Sequence, residues 1–339
     1  MQKTILITGG AGYIGSHTAY LLHMSGYNVI IVDALMHHQP FSHQWAHLVK
    51  TDYGRGKVLS KIFDKIHIDA VMHFAGFIEV GESVKRPATF YHNNVGNTLQ
   101  LLDVMRAHGV DTFIFSSSCA VYGIPQKLPL DEQHQLLPIN PYGRTKLIVE
   151  YLLQDYAQAY GMRYASLRYF NAAGAFVDQG LGEWHQPETH IIPLLLRAAR
   201  DYTPFMIFGD DYDTMDGTCV RDYVHVGDIA QAHIKALHYL EDGNSSSVFN
   251  LGTGQGWSVR QLVEAAEKIT GKPISTIVAA RRDGDVPALV ASAHKAYQEL
   301  QWRPQLSDLD TMLRSAWEWE RRRGTMKTLT SARIDYMLR

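Results

Sequence analysis

Cysteine is scarce in this chain of 339 residues: only Cys119 and Cys219 are present, and they form no spaced motif. This excludes a disulfide-rich secreted scaffold and favours a reduced, cytoplasmic location. No apolar run reaches the roughly 18 residues that a membrane helix needs. Residues 1–8 already have the pattern of a strand rather than of a signal peptide. We therefore expect a cytoplasmic protein with no membrane partner.

An excess of one charge sign is also missing, because 32 Lys and Arg stand against 34 Asp and Glu. This balance gives no indication of a nucleic-acid partner. Hydrophobic residues make up 46% of the chain, which is enough to build a sizeable core. The length suits one large domain or two moderate ones.

Three glycines, Gly9, Gly12 and Gly15, separate a β-branched strand from the start of a helix, and Asp33 ends the next strand. Such glycines allow a sharp turn, close approach of a pyrophosphate, and tight packing of helix on strand. An acid at the end of the second strand binds ribose hydroxyls. A 2′-phosphate would be repelled by Asp33, and no cation follows it directly. The pattern therefore predicts NAD rather than NADP.

Four histidines, His37, His38, His43 and His47, cluster after this unit. The last two have the i, i+4 spacing of metal ligands on a helix. Pro40 interrupts the segment, and neither cysteine nor carboxylate lies among these histidines. We therefore expect no metal here, and interpret the segment as a solvated loop over the adenine edge.

Strands and helices alternate through the first half of the chain. Strands are predicted at 46–50, 69–74, 112–115 and 164–168, and helices at 57–66, 82–109 and after Pro141. This alternation is typical of an α/β fold with a doubly wound parallel sheet, a Rossmann domain. Ligands bind such sheets at the carboxyl ends of the strands.

The pattern changes after Gly174. A loop is predicted at 176–190, helices at 191–200, 228–240, 258–270 and 305–322, and strands at 205–208 and 248–251. We predict an NAD-binding Rossmann domain at 1–175 and a smaller α/β substrate domain at 176–339. Segments of about 220–252 are expected to cross back to the first domain.

Three serines, of which Ser118 is the last, follow the predicted strand at 112–115. Tyr142 and Lys146 lie one turn apart on the helix predicted after Pro141. A phenol, whose pKa is about 10, is a poor base at neutral pH. The positive charges of Lys146 and bound NAD⁺ are expected to stabilise its phenolate. Tyr142 then takes a proton from a sugar hydroxyl while hydride leaves the same carbon, and Ser118 holds that hydroxyl.

The order of glycine motif, serine and Tyr-x₃-Lys resembles the extended short-chain dehydrogenase/reductase superfamily. More closely, the chain resembles the UDP-sugar 4-epimerases of the NAD-dependent epimerase/dehydratase family, from residue 3 to about 320. The matching stretches include 8–17, 73–76, 113–118, 141–143, 207–209, 220–225 and 281–285. The resemblance implies an NAD-dependent isomerase that interconverts UDP-glucose and UDP-galactose through a 4-keto sugar and holds its NAD tightly. It also implies a homodimer through helices near 95–108 and 145–160.

The pattern and the resemblance together predict three sets of site residues. The catalytic set is Ser118, Tyr142 and Lys146. The predicted cofactor contacts are Gly9, Gly12, Tyr13, Ile14, Gly15, Asp33, Asp52, Phe74, Ala75, Gly76, Asn93, Ser116, Tyr142, Lys146 and Tyr169. The resemblance implies UDP-hexose contacts at Ser118, Tyr142, Asn171, His190, Ile191, Ile207, Phe208, Arg221, Arg282, Asp285 and Leu289. No metal ligand is predicted.

Two of these interpretations have alternatives. Asp52 accepts a hydrogen bond from the adenine amino group or caps the next helix. Leu289 stands where tyrosine in the family is associated with exclusion of N-acetylated sugars and small residues with acceptance. UDP-glucose and UDP-galactose are therefore the expected substrates, with UDP-N-acetylglucosamine and its galactosamine counterpart as the alternative.

Departures from the family pattern also bear on function. The segment from Asp33 to Asp52 is short for the family, and Ile78 stands where some relatives have lysine beside the substrate. A dehydratase would need an acid and a base after Ser118, where Cys119 and Ala120 stand. A non-catalytic NAD-sensing regulator would typically lose Tyr142 or Lys146, and both are present.

Overall fold

A computed structural model describes residues 2–36, 45–282 and 284–337, with side chains as far as residue 323. Most of the histidine cluster that the sequence analysis singled out, His37, His38 and His43, lies outside the described residues. No helix within the described ranges is long and apolar enough to cross a membrane.

The strands alternate with helices over the first half of the chain. In chain order the strands are β1 (Thr4–Thr8), β2 (Asn28–Asp33), β3 (His47–Lys50), β4 (Ala70–His73), β5 (Thr112–Ser118), β6 (Arg163–Tyr169), β7 (Asn171–Ala173), β8 (Phe205–Phe208), β9 (Val220–His225), β10 (Ser247–Leu251), β11 (Gly256–Ser258), β12 (Thr276–Ala279) and β13 (Ala288–Leu289). The helices are α1 (Tyr13–Met24), α2 (Gly56–Lys65), α3 (Val80–Lys85), α4 (Pro87–Tyr91), α5 (Asn97–Ala107), α6 (Pro141–Tyr160), α7 (Ile191–Asp201), α8 (Val226–Glu241), α9 (Val259–Thr270), α10 (His294–Glu299) and α11 (Leu309–Met337).

Seven strands form the main sheet in the order β10-β6-β5-β4-β1-β2-β3, and every neighbouring pair is parallel. The predicted doubly wound Rossmann sheet is therefore confirmed. Because the strands are parallel, their carboxyl ends meet at one edge. The glycine turn, Asp33 and Ser118 all follow or end strands at that edge.

Helices cover both faces of this sheet, because its strands are apolar on both sides. On β1, Ile5 and Ile7 pack into the layer that contains Leu22 of α1, together with α8. Leu6, which points the other way, packs into the layer that contains Leu101 of α5, together with α2 and α6. The two layers hold the strands of the sheet, and the turns that follow them, in fixed positions.

The second half forms smaller sheets around helices α7, α9 and α11. Strand β9 pairs with β7, β11 and β13, and β8 pairs with β12. The chain then returns, since β10 lies at the edge of the main sheet beside β6. The domain boundary near residue 175 stays a prediction.

The last helix is longer than the sequence pattern indicated. We expected a helix over 305–322, but α11 runs from Leu309 to Met337. It begins at Leu309 because the Asp308 carboxylate accepts a hydrogen bond from the Thr311 N–H group (2.9 Å), as a helix cap does. The sequence from Leu309 to Met337 contains no proline that would end the helix, and the single Gly324 does not break it.

Candidate active site

The glycine turn after β1 has no room for side chains. Gly9 has a φ of +71°, and a Cβ there would lie 2.5 Å from the backbone nitrogen of Ala75. A Cβ on Gly15 would lie 2.3 Å from the Gly9 carbonyl oxygen. Close backbone packing therefore requires glycine at both of these positions.

Helix α1 begins on this turn with Gly12 as its N-cap, which offers no side chain to bind the first N–H groups of the helix. Those groups belong to Tyr13, Ile14 and Gly15, which have no carbonyl one turn earlier. An anionic group is the natural partner of such a helix start. The residues present therefore fit the pyrophosphate of a dinucleotide.

Asp33 is held at the end of β2 by two backbone donors. Its carboxylate accepts hydrogen bonds from the N–H groups of Ala11 (3.0 Å) and Leu35 (2.7 Å). The side chain is thus tied directly to the glycine turn. This arrangement fits a carboxylate that binds ribose hydroxyls beside the pyrophosphate.

Asp52 lies beyond the end of β3 and is exposed. Its carboxylate accepts from the Gly54 N–H group (2.7 Å) and from the Asn97 side chain (3.3 Å). Helix α2 begins only at Gly56, with Arg55 as its N-cap. The alternative of Asp52 as a helix N-cap is therefore wrong, and a contact with adenine stays a prediction.

Helix α6 begins where it does because Asn140 caps it. The Asn140 side chain accepts from the Gly143 N–H group (2.8 Å), and Pro141 occupies the first helical position. A Cβ on Gly143 would lie 2.5 Å from the Ala120 carbonyl oxygen, so the helix start packs directly on the turn after β5. This packing brings Tyr142 to Ser118, with which its side chain is hydrogen-bonded.

The Tyr142 phenol is strongly protonated at neutral pH in this structure. Burial raises the pKa of Tyr142 to about 12, and the hydrogen bond with Ser118 opposes this only in part. Stabilisation of the phenolate by Lys146 together with bound NAD⁺ stays a prediction. The Lys146 ammonium donates to the Ser116 carbonyl (2.8 Å) and lies 5.9 Å from the centroid of the Tyr142 ring.

Lys146 is itself buried, and burial lowers its pKa to about 8 while the Glu150 charge opposes the shift. The ammonium therefore keeps its proton at neutral pH. It also approaches Gly76, where a Cβ would lie 3.8 Å from Nζ. Lys146 thus stands between the strand end at Ser116 and the loop after β4, both of which were predicted to contact the cofactor.

A buried charge network, which the sequence reasoning missed, holds α6 against the sheet. Glu150 accepts from Ser117 and forms an ion pair with Arg168, and both charged side chains are almost fully buried. Arg168 also donates to the Tyr122 hydroxyl (3.0 Å), which in turn donates to Asn250 (2.6 Å). Glu150 lies one turn beyond Lys146, so this network fixes the register of Tyr142 and Lys146 relative to β5 and β6. A glutamate at i+4 from a predicted catalytic lysine was the only signal for it in the sequence.

The loop after β4 is anchored by Asn94 rather than by Asn93. Asn94 is buried and bonds both backbone groups of Phe77 (2.8 and 2.9 Å) and the Thr145 hydroxyl (3.1 Å). Asn93 is half-buried and donates to Asn94 (3.0 Å). Of the two asparagines, Asn94 is therefore the one that holds Phe74, Ala75 and Gly76 beside α6, while a cofactor contact of Asn93 stays a prediction.

Ser116 and Tyr169 face each other at the ends of β5 and β6. Their hydroxyl groups are hydrogen-bonded, and both side chains are buried. The Ser116 carbonyl meanwhile accepts from Lys146. Both predicted cofactor residues thus lie in the same cluster as Lys146.

Several predicted substrate residues come together around β9. Asn171, the first residue of β7, donates to the Asp222 carbonyl (2.9 Å). Arg221 lies 3.6 Å from the Asp285 carboxylate and is opposite Leu289 in the pairing of β9 with β13. Leu289 packs against the cluster of Cys119, Tyr122, Leu147 and Phe170, which lies next to Ser118 and Tyr142.

A second group is formed by β8 and the loop after β12. The Arg282 guanidinium lies 3.8 Å from the centroid of the Phe208 ring, while Ile207 is buried. Arg282 is exposed, so its charge is available to a ligand. An aromatic ring under a guanidinium can hold the cation in one orientation.

His190 and Ile191 mark the start of α7, where His190 is the N-cap. The His190 ring forms an ion pair with Glu183, a buried residue that the sequence reasoning did not single out. His185 and Glu188 lie beside this pair. One ring nitrogen or carboxylate oxygen from each of the four residues, of the kind that can bind a metal ion, lies within 4.8 Å of the others.

The matched family spans the main sheet and the site at its edge. Residues 5–252 match the NAD dependent epimerase/dehydratase family. The chain belongs to this family.

Its relatives narrow the comparison further. The chain is 50% identical over 325 residues to the UDP-glucose 4-epimerase of Rhizobium meliloti (strain 1021), an alignment that covers 95% of this chain and 98% of the relative. It is similar to the crystal structure of UDP-glucose 4-epimerase from Brucella ovis in complex with NAD, with a TM-score of 0.90 and 47% identity over 93% of this chain and 97% of that one. It is also similar to the Bifidobacterium longum UDP-glucose 4-epimerase in complex with NAD⁺ and UDP (TM-score 0.89, 38% identity, 94% and 98% covered).

Proposed function

We propose that this chain interconverts UDP-glucose and UDP-galactose by transient oxidation at C4 with a tightly held NAD. The observation that carries the proposal is the convergence of Ser118, Tyr142 and Lys146 beside the glycine turn at one edge of the parallel sheet. Relatives that bear the name UDP-glucose 4-epimerase, and that have been solved with NAD and with UDP, support it.

The residues that would hold NAD lie along the carboxyl ends of β1, β2, β4, β5 and β6. The N–H groups at the start of α1 would bind the pyrophosphate, and Asp33 would bind the adenine-side ribose. Lys146 would bind the nicotinamide ribose, with Gly76, Ser116 and Tyr169 around it. When bound there, NAD supplies the acceptor and donor of the C4 hydride.

The protein's own contribution to the reaction is movement of one proton. Tyr142 takes the proton of the sugar's 4-hydroxyl and later returns it, and Ser118 holds that hydroxyl through a hydrogen bond. Since burial raises the pKa of Tyr142 to about 12, the phenolate must be stabilised when the site is filled. Lys146 is placed for this because it keeps its charge at neutral pH on the same face of α6.

The second half of the chain would hold the UDP group while the sugar turns over. Arg221 and Arg282 are suited to the diphosphate, because a guanidinium binds phosphate oxygens in pairs. Asn171, His190, Ile191, Ile207, Phe208 and Asp285 complete the proposed nucleotide contacts. Rotation about the diphosphate presents the other face of the 4-keto sugar, so that hydride returns from the opposite side.

The direct test is incubation of the purified protein with UDP-galactose and no added nucleotide. UDP-glucose should form until the two sugars reach equilibrium. Denaturation of the same preparation should release NAD. A protein that needs added NAD, or that leaves UDP-galactose unchanged, would contradict the proposal.

Turnover of N-acetylated UDP-sugars is the second candidate activity, and Leu289 is the residue on which it depends. Leu289 is half-buried and packs against the cluster that contains Cys119, the residue after Ser118, and Phe170. Its side chain is smaller than tyrosine but larger than alanine. We infer that UDP-glucose is the better substrate, and faster turnover of UDP-N-acetylglucosamine would overturn this ranking.

We also propose a cytoplasmic homodimer. Leu99 on α5 and Tyr151 and Tyr160 on α6 are exposed, which suits a seam of paired helices. Tyr156, which also lies on α6, is buried and donates to Asp103 within the same chain. Light scattering on the purified protein tests the dimer, and cell fractionation tests the location.

A further inference from the structure

Glu183 is a buried acid that no step of the proposed mechanism uses. Its side chain is 7% exposed, and one carboxylate oxygen accepts from Nδ1 of both His190 and His185. A buried carboxylate is costly unless it is paired, so its position points to a specific role. Its partner His190 is also one of the proposed contacts of the UDP-sugar.

The backbone around Glu183 is fixed from behind by α11. The Trp319 indole donates to the Glu183 carbonyl (2.8 Å), and Trp319 is itself buried. A Cβ on Gly182 would lie 2.3 Å from the Trp319 ring, so glycine lets the segment lie flat on the indole. The carboxylate is therefore directed at His190 by packing.

His190 is held by one edge of its ring and is open on the other. Nδ1 faces Glu183, while 47% of the side chain stays exposed. Burial on its own would lower the pKa of His190, but the charge and hydrogen bond of Glu183 outweigh it and raise the pKa to about 9. The open edge, which carries Nε2, therefore bears a proton at neutral pH.

His190 lies at the start of α7, and Ile192 of that helix packs in one cluster with Ile207 of β8 and Tyr223 of β9, the strands that carry proposed nucleotide contacts. The charge of Glu79, in the loop after β4, acts on both the His190 ring and the Tyr142 phenol. His190 also caps α7, an eleven-residue helix whose first N–H groups belong to Ile191 and Ile192. A cationic ring beside a helix N-terminus favours an anion.

We propose that Glu183 is a positioning residue for substrate binding: it fixes the ring of His190 with Nδ1 inward, so that Nε2 donates a charge-assisted hydrogen bond to the diphosphate of the UDP-sugar. This inference rests on the proposed function, because it takes the UDP-sugar as the ligand. It assigns to Glu183 an effect on affinity rather than on the chemical step.

The other charged groups around His190 do not replace Glu183. Glu188 lies 3.9 Å from Nδ1, but its carboxylate already binds Arg197 and the N–H groups of Thr189 and His190. Glu79 contributes only through its charge, and His185 competes for the same Glu183 oxygen. The same four side chains could also surround a divalent metal, and that occupant is an outcome of the test.

The experiment measures binding of UDP by calorimetry and the KM for UDP-glucose between pH 6 and 9.5. The full-length wild type is compared with Glu183→Gln, and Glu188→Gln is the control that removes the neighbouring carboxylate. Comparison with the wild type at each pH cancels the titration of UDP itself. Without Glu183 the pKa of His190 should fall toward its ordinary value of about 6.5.

The expected result follows from these protonation states. Wild-type affinity should hold to about pH 8 and fall as pH rises through about 9, where His190 loses its proton. Glu183→Gln should weaken UDP binding roughly tenfold at pH 8, as loss of a charge-assisted hydrogen bond does, and much less at pH 6. The KM should rise in parallel with kcat nearly unchanged, and Glu188→Gln should shift the profile less.

His190→Gln keeps the proposal testable if Glu183→Gln folds poorly. This variant should bind UDP weakly at every pH below 9. Equal weakening of Glu183→Gln at pH 6 and pH 8 would mean a structural role and would overturn the proposal. One equivalent of tightly bound divalent metal that is lost in Glu183→Gln would overturn it too. Wild-type protein that does not bind UDP at all would contradict the proposed function itself, whereas UDP binding with a flat pH profile would overturn only the role of Glu183.

Discussion

The cofactor side and the substrate side of the site differ in burial and in the kind of contact that positions their residues. On the cofactor side, the glycine turn, Ser116, Tyr169 and Lys146 are buried or in contact with backbone, and packing sets their positions. On the substrate side, Arg282 and His190 are largely exposed and stand on loops and at a helix start. Close packing determines the cofactor side, whereas exposed charged side chains determine the substrate side.

Because of this difference, substitutions on the two sides should affect different properties of the protein. A change on the cofactor side should disturb the fold and the cofactor together, because the same atoms serve both. A change on the substrate side should alter affinity and leave the fold intact, because exposed ion pairs contribute little to stability.

Tyr142→Phe should have the largest effect, since it removes the only hydroxyl proposed to take the C4 proton. We expect kcat to fall by roughly 10²–10⁴ with the fold intact. Nucleotide released on denaturation should match the wild type, which is the control. Loss of bound NAD with activity retained would contradict the roles given to this side.

Gly15→Ala should break the cofactor side through sterics alone. The new Cβ would lie 2.3 Å from the Gly9 carbonyl, which is closer than real contacts allow. We expect a protein that loses its NAD and is destabilised by about 1–3 kcal/mol, as measured by urea unfolding and nucleotide release.

Gly81→Ala is the matched control for the glycine turn. A Cβ on this helical glycine meets nothing within 4 Å. The change should leave NAD content as it is and stabilise the protein by about 0.5–1 kcal/mol through helix propensity. Equal loss of NAD in both variants would show that the turn has no special role.

Arg282→Ala should raise the KM for UDP-glucose about tenfold, because a diphosphate contact is lost, while the melting temperature stays within about 1 °C. Arg281→Ala is the control, since Arg281 is the neighbouring arginine and binds Asp211 instead. The difference between the two should shrink at high salt, where exposed charges are screened. A larger KM change for Arg281→Ala would reverse the assignment.

Leu289→Ala should have the smallest effect on the proposed reaction. The change enlarges the pocket beside Cys119 and Phe170. We expect turnover of UDP-N-acetylglucosamine relative to UDP-glucose to rise a few-fold, which is less than the roughly 10–200-fold of a fully enclosed pocket contact, because Leu289 is only half-buried. Leu289→Tyr should lower the same ratio. Unchanged ratios in both variants would remove Leu289 from the specificity of the site.

The cofactor side was predictable from sequence because its causes are local. A glycine spacing, an acid at a strand end and a Tyr-x₃-Lys pair each restrict a short stretch of chain, and the parallel sheet then brings them to one edge. The substrate side depends on long-range pairing: β9 joins β7, β11 and β13 from distant parts of the chain. Arg221 and Arg282 therefore looked like ordinary surface residues and were identified only through resemblance.

The residues that sequence reasoning missed are buried charges with distant partners. Glu150 pairs with Arg168 across 18 residues of sequence, and Glu183 is fixed by Trp319 across 136. No local pattern marks such a partner. The burial that raises the pKa of Tyr142 is likewise a tertiary property that neighbouring residues in sequence do not reveal.

The central claim, that a resident NAD removes the C4 hydride and returns it to the same sugar, is tested most directly with UDP-galactose deuterated at C4. The purified protein is given this substrate without added nucleotide, and the product is analysed by mass spectrometry and NMR. We predict UDP-glucose that retains the deuterium at C4. Loss of the deuterium to solvent, or no product until NAD is added, would contradict the account.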